Sequence, residues 1–305
     1  MGKILVTGAS GNLGKKTLRQ LLKRKPASEL VALVRDPEKG KELAALGIAV
    51  HQGDYLDAES LRRAFTGVEK VMLTSTHAFT DRKTAHANVI NAAAEVGTRH
   101  IVYMPINRKP GSTYVLQEVT EEDIFTEKLL QSSGLVYTLV KHPPFLESIS
   151  LYIGLNAPGT GVRLPEGNGK FTAASRDDLA EAHAVVLTEP GHENRTYSLT
   201  GTQAVSFPET ARILSEILGK HVPFIPISEQ EFIDLKVADG LPGFVSKFML
   251  GWVQGMGAGE WSEQGGDLEK LIGRKPQTVT EYLRETYGAV AKTPASNRPN
   301  QDLAK

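Results

Sequence analysis

Three glycines at steps of three, Gly8, Gly11 and Gly14, separate a short apolar run (Ile4, Leu5, Val6) from a segment patterned as an amphipathic helix. There Leu13, Leu18, Leu21 and Leu22 fall on one side, and Lys15, Lys16, Arg19 and Lys23 on the other. This spacing suits a pyrophosphate. The first glycine permits a tight turn, the second lets backbone N–H groups approach the phosphates, and the third lets helix and strand pack closely. The helix N-terminus adds unpaired donors and the positive end of a dipole. Thr7, Gly8, Ser10, Gly11, Asn12, Leu13 and Gly14 are therefore expected to hold a dinucleotide; an ordinary βα turn is the alternative. About twenty residues on, the second strand ends in Arg35, at the position where an acid selects NAD and an arginine accommodates the 2′-phosphate of NADP. NADPH is the expected cofactor. The adjacent Asp36 keeps NAD open as a second choice, although its place before Pro37 already suits a helix N-cap.

Asp54, after the third strand, is placed either to meet the adenine or to cap its own turn. Thr74, Ser75 and Thr76 close the fourth strand, at the carboxyl edge where ligands sit in open α/β sheets. A tyrosine followed four residues later by lysine would supply the acid of an ordinary ketone reductase. Tyr103 has Asn107 at that spacing, Tyr114 has Glu118, and Tyr137 has Lys141. Only the last matches, and it lies within a strand, so it reads as coincidence. Without that acid, the fitting substrate is an electron-poor compound that takes hydride with no concerted protonation. No histidines stand at metal-ligand spacing, and no metal site is expected.

The elements that must position these residues alternate from Lys3 to Lys141. Predicted strands are Lys3–Val6, Glu29–Val34, Ile48–His51, Lys70–Leu73, His100–Tyr103 and Val136–Val140, with helices between them, including Asp57–Phe65, Asp81–Val96 and Glu118–Ser132. The fold class expected is α/β: a Rossmann-type, doubly wound parallel sheet with a smaller mixed α/β C-terminal lobe. Residues 1–142 form the dinucleotide-binding domain, to which the helix Asp177–Thr188 and strand Thr196–Leu199 return, so that segments around 171–200 belong to it. Residues 143–288 are mainly a substrate-binding lobe. Gly154–Lys170 reads as a long loop, and Ser206 with Glu209 as a capping box. Phe244, Phe248, Trp252 and Met256 recur as a helical stripe that serves either the core or a pocket wall. Residues 289–305 are expected to be a disordered tail.

The 305 residues carry 35 basic and 35 acidic side chains, which gives no basic excess for nucleic acid. The absence of cysteine excludes disulfides, thiolate metal sites and a cysteine nucleophile. No apolar run approaches the ~20 residues that span a bilayer, and the chain opens on a core strand rather than a signal peptide. A soluble, cytoplasmic monomer or homodimer acting on a small molecule is the expectation.

Together, the Thr7–Gly14 loop, Val34-Arg35, Gly53-Asp54-Tyr55, His86-Ala87-Asn88, Phe125–Leu130 leading to Gly134–Thr138, Gly191–Asn194 and Leu214-Ser215-Glu216 resemble the NmrA-like, atypical short-chain dehydrogenase/reductase family. The likeness spans about residues 3–287, and within that family the chain resembles bacterial NADPH:quinone oxidoreductases and triphenylmethane reductase. It implies that Pro143 lies beside the nicotinamide carboxamide and that Thr74 to His77 line the dinucleotide. It also implies that positions 123 and 141 face the substrate. Family members usually have histidine where this chain has Asp123, and Arg-Asn where it has Lys141-His142. A carboxylate facing the nicotinamide disfavours the negative charge that develops on a quinone, unless burial keeps it protonated, and suits a cationic or hydroxyl-bearing substrate. Asp123 and Lys141 are the candidate catalytic residues; a solvated helix residue and a strand-end lysine are the bland alternatives. The family implies an NADPH-dependent reductase of quinone- or dye-like acceptors. It also contains dinucleotide-sensing regulators without turnover, and that remains the rival reading.

Overall fold

Along β1 (Lys3–Val6), Ile4 and Val6 face one side of a sheet and Leu5 the other, and all three are buried. A strand covered on both faces requires helices above and below it. The computed structural model, which describes residues 2–290, supplies them. The chain continues through α1 (Asn12–Leu22), β2 (Leu30–Val34), α2 (Lys41–Ala44), β3 (Ala49–Gln52), α3 (Ala58–Phe65), β4 (Val68–Leu73) and α4 (Arg82–Glu95). It then forms β5 (His100–Tyr103), α5 (Thr120–Ser132), β6 (Val136–Lys141), α6 (Leu146–Ile153), α7 (Ala157–Thr160), β7 (Val162–Leu164), α8 (Arg176–Thr188) and β8 (Thr196–Ser198). Seven strands pair in parallel in the order β3-β2-β1-β4-β5-β6-β8. The order reverses between β1 and β4, so the crevice above their carboxyl ends is the place for a ligand.

One apolar layer joins Ile4, Val6, Ala32, Met72 and Val140 to Leu18 and Leu21 of α1 and to Ala180, Ala184 and Leu187 of α8. The other joins Leu5, Leu33, Val71 and Ile101 to Phe65 of α3, Val89 and Ala93 of α4 and Leu130 of α5. Each fully buried leucine or phenylalanine here stabilises the fold by roughly 1.5–3 kcal/mol. The strand Thr196–Ser198 therefore completes the main sheet on β6, although it comes late in the sequence.

The remaining elements, α9 (Phe207–Leu218), β9 (Phe224–Pro226), α10 (Glu229–Ala238), α11 (Gly243–Gly257), α12 (Asp267–Ile272) and α13 (Val279–Val290), follow in order. A separate core of Leu146, Ile149, Phe171, Phe207, Leu214, Phe232, Val253, Met256 and Tyr287 holds most of them. The capping box is present in both halves: Glu209 N donates to Ser206 Oγ at 3.2 Å and Ser206 N to Glu209 Oε2 at 2.8 Å.

Three features differ from the sequence reading. The segment Gly154–Lys170 is not all loop, because α7 and β7 lie within it and Val162 pairs with Phe224 of β9. A three-residue strand whose partner is sixty residues away leaves no local pattern. Helix α6 starts directly after Pro143-Pro144, and those prolines mask its Leu146, Ile149 and Ile153 spacing. In α11 the core is built by Met249, Leu250, Val253 and Met256, whereas Phe244 on the expected stripe is 55 % exposed. Helix α13 runs to Val290, and the rest of the expected tail lies outside the described residues.

Four histidines, His86, His100, His142 and His183, are buried and neutral, with His100 depressed by burial to about 4. His142 Nε2 lies 2.8 Å from His183 Nε2, and His86 joins α4 to α5. Burial depresses His86 and His183 to about 3 and His142 well below its usual value, with His183 and Arg176 adding to the effect on His142. The unfolded chain binds these protons near pH 6.5 and the native state does not, so stability is full above pH 6.5 and is lost as pH falls towards 3. Each histidine contributes a slope of about 1.4 kcal/mol per pH unit in that window. Urea unfolding from pH 7.5 to 4.5 should show the decline, and His183→Gln, which keeps a polar atom near Nε2, should flatten it by one histidine's share. An unchanged slope in the variant would mean that His183 takes no part in the acid sensitivity.

Candidate functional site

The glycine turn has the geometry its spacing predicts. Gly8 has φ of +59°, which L side chains rarely adopt. A Cβ on Gly14 would stand 2.4 Å from the Gly8 carbonyl oxygen and 2.9 Å from Ala9 Cα, so the close approach of α1 to the turn admits only glycine. Gly11 is the N-cap of α1 and no side chain caps that end. The first-turn N–H groups, starting at Asn12 and Leu13, have no intrahelical acceptor and face outward with Ser10 half-buried beside them. This cradle fits a pyrophosphate. Arg35 extends from the end of β2 and is exposed. Asp36 is occupied, since its Oδ1 accepts from Glu38 N at 3.0 Å and caps the following turn. Asp54 also serves its own loop, accepting from Leu56 N at 2.9 Å.

The floor of the crevice is a polar knot. Thr7 is fully buried; its hydroxyl donates to Met72 O at 2.9 Å and accepts from Thr74 N at 2.9 Å. Thr74 Oγ1 donates back to Thr7 O at 2.8 Å. The Tyr55 hydroxyl reaches both Thr7 Oγ1 and Thr74 O, and Asn88 Nδ2 donates to Tyr55 O at 2.9 Å. Beside it, Thr76 N donates to His86 Nε2 at 3.2 Å, so the His86 proton lies on Nδ1 and faces Thr126 Oγ1 at 3.0 Å. Thr7 thus shapes the turn rather than reaching into the crevice. Ser75 bonds Met104 O at 3.2 Å, and His77 is exposed at the rim. The family motifs around Tyr55 and around His86 and Asn88 carry these bonds, a role that no local pattern announces.

Asp123 is neither a solvated helix side chain nor an open face of the cleft. It is fully buried, with Oδ1 accepting from Arg82 Nη2 at 2.5 Å and from the Tyr103 hydroxyl at 2.7 Å, and Oδ2 accepting from Ile106 N at 2.8 Å. Burial pushes its pKa up; the Arg82 guanidinium and the two other donors oppose this. Arg82 is a fixed charge, so the pair is held as an ion pair. Lys141, at the end of β6, is half-buried with Nζ 3.7 Å from Glu127, and Glu127 also meets Arg108 at 2.8 Å. Pro143 lines a small cleft with Asn107, Arg108, Lys109, Thr172, Ser198 and Trp261. Among the described residues, no three His, Cys, Asp or Glu side chains converge as metal ligands.

An aromatic ladder links the loop after β4 to α11. Phe79, from the loop after β4, meets Phe244 and Phe248 of α11 edge-on, with ring centroids 4.8 and 5.3 Å apart. Phe248 continues to Trp252, which stacks on Trp261 at 4.8 Å. Phe79 holds φ of +67°, a strained conformation for a bulky residue.

Removing one partner of a buried ion pair strands the other. Asp123→Asn should lower the free energy of unfolding by about 3–5 kcal/mol, read by urea denaturation. A loss below ~0.5 kcal/mol would place Asp123 among ordinary surface residues.

The sequence profile of the NAD(P)H-binding family matches residues 8–190. Quinone oxidoreductase 2 of Escherichia coli is 37% identical over 288 residues, covering 93% of this chain and 98% of its own. The crystal structure of an E. coli NADPH-dependent quinone oxidoreductase complexed with NADPH superposes with a TM-score of 0.87 at 35% identity, covering 93% of this chain and 99% of that one. Triphenylmethane reductase of Citrobacter sp. gives 0.86 at 32% identity, covering 94% and 99%. No helix of the described residues is long and apolar enough to cross a membrane. The chain belongs to the NAD(P)H-binding, NmrA-like group of atypical short-chain dehydrogenases/reductases, and it is an NAD(P)-dependent oxidoreductase.

Proposed function

We propose that this protein is an NADPH-dependent reductase that delivers hydride to flat, electron-poor acceptors of the quinone or dye type. The observation that carries the reading is the run of rings Phe79, Phe244 and Phe248, of which Phe79 and Phe244 are exposed, which offers ring faces and edges to a planar acceptor beside the dinucleotide crevice. Tyrosine chemistry is not on offer there. The hydroxyls of Tyr55, Tyr103 and Tyr114 bond to Thr7 and Thr74, to Asp123 and to Gly251 O, and burial raises all three pKa values. Tyr137 and Lys141 lie four strand residues apart, about 13 Å along β6. An acceptor that needs no concerted proton fits such a site.

In this reading the α1 N-terminus binds the pyrophosphate, Arg35 binds the 2′-phosphate, and Thr74 to His77 with Pro143 flank the remainder of the dinucleotide. When bound, the cofactor supplies the hydride. The protein orients the acceptor and excludes water, and the elements after Pro143, mainly residues 143–288, cover it. Lys141 borders the acceptor, whereas Asp123 acts through the position of its neighbours. The names of the relatives, a quinone oxidoreductase and a triphenylmethane reductase, support the acceptor class. The cytoplasm, where NADPH is held reduced, is the compartment this activity suits.

Two measurements test the reading. Absorbance at the NADPH band should fall when quinones or triphenylmethane dyes are added to the purified protein. Tight NADPH binding with no turnover on any acceptor would favour the sensing role instead. Arg35→Ala should weaken NADPH binding about ten- to a hundredfold, the worth of one charge-assisted contact, and leave NADH binding nearly unchanged. Equal weakening of both would remove Arg35 from the cofactor site.

A further inference from the structure

Arg108 stands where the chain is most tightly fixed. On one side Ile106 N donates to Asp123 at 2.8 Å and Asn107 N to His142 O at 2.7 Å. The Asn107 side chain bridges Leu199 O and Ser198 Oγ at 2.7 and 2.8 Å, and Trp261 Nε1 donates to Asn107 O at 2.9 Å. On the other side Lys109 N donates to the buried Glu260 at 3.1 Å. The guanidinium so positioned lines the cleft with Pro143. Its Nη2 binds Glu127 at 2.8 Å, while its Nη1 is buried and has no hydrogen-bond partner. A buried donor left without an acceptor costs about 1–3 kcal/mol, so it is a feature that needs an occupant. Glu127 is shared between Arg108 at 2.8 Å and Lys141 at 3.7 Å, and Glu260 and Glu263 also line the cleft.

We propose that Arg108 is a catalytic residue for carbonyl-type acceptors, its free Nη1 donating to the acceptor oxygen on which negative charge develops. This rests on the reductase reading above. A C–H bond of the reduced cofactor breaks, its hydride bonds to one carbonyl oxygen of the quinone, and the cofactor is left in its pyridinium form. The ring becomes aromatic, the π pair of the other C=O moves onto its oxygen, and that oxyanion takes a proton from water to complete the hydroquinone. Arg108 lowers the energy of the anionic stage. A cationic triphenylmethane dye differs in kind. Hydride joins its central carbon, the positive charge disappears, and no oxyanion forms. Arg108 therefore assists quinones and gives dyes nothing.

The test uses Arg108→Lys, which keeps the charge beside Glu127, and Arg108→Met, which removes it. Unchanged NADPH affinity serves as the check of folding. Both variants should reduce a benzoquinone about ten- to a hundredfold more slowly, the worth of a charge-assisted hydrogen bond, with malachite green reduction within about twofold of the parent. A second readout needs no turnover: 4-nitrophenol added to the NADP⁺-bound protein should ionise at lower pH than in solution, seen by its phenolate absorbance, and the variants should abolish that shift. Equal losses on both acceptors, or a nitrophenol titration unaffected by the substitutions, would overturn the proposal and leave Nη1 as the donor to a structural water only. If the parent reduces neither acceptor class, the reductase reading fails by itself, and the nitrophenol titration still decides whether Arg108 stabilises an oxyanion.

Discussion

The carboxylate of Asp123 ties together three segments that border the crevice. Arg82 opens α4, Tyr103 closes β5, and Ile106 begins the loop that carries Asn107 and Arg108. None of these could be packed alone. A buried arginine without its partner is strongly unfavourable, and a buried tyrosine hydroxyl or backbone N–H needs an acceptor. The three donors converge on one side chain, so the position of each depends on the other two. The loop after β5 is irregular in backbone, yet it is held as firmly as a strand because its N–H groups end on Asp123, His142 O and Glu260.

The architecture was legible from local patterns where the cause is local. The glycine steps at 8, 11 and 14 encode a left-handed turn and a backbone contact with no room for a Cβ, and both constraints act within seven residues. The continuous apolar strands, the Asp36-Pro37 cap and the Ser206–Glu209 box are of the same kind. The place of Arg35 at the end of β2 was legible because it follows from the strand itself. Asp123 was not, since its partners lie 41 and 20 residues away and a buried ion pair reads in the sequence as two ordinary charges. The same holds for Tyr55, whose hydroxyl bonds reach 48 residues back and 19 forward, and for β7, which exists only by pairing with β9. The stripe on α11 had the correct period but an ambiguous phase. A helix between a core and a crevice is apolar on two sides, so Met249 and Val253 took the core and Phe244 and Phe248 took the rim.

The electrostatics resolve a conflict present in the sequence. A carboxylate at position 123 looked hostile to an acceptor that gains negative charge. In the fold that charge is cancelled at 2.5 Å by Arg82, so the pair projects little field into the cleft. The second acid on the same helix, Glu127, is covered by two cations rather than one. Both buried acids of α5 are thus paired with cations, and the donor left open beside Glu127 is Arg108 Nη1. Lys141 approaches Glu127 from the end of β6, and Arg108 meets the same carboxylate from the loop after β5. A guanidinium on a loop pinned by Asn107 and Glu260 loses less conformational entropy in meeting an acceptor oxygen than a flexible lysine does, so the planar donor is placed on the rigid segment.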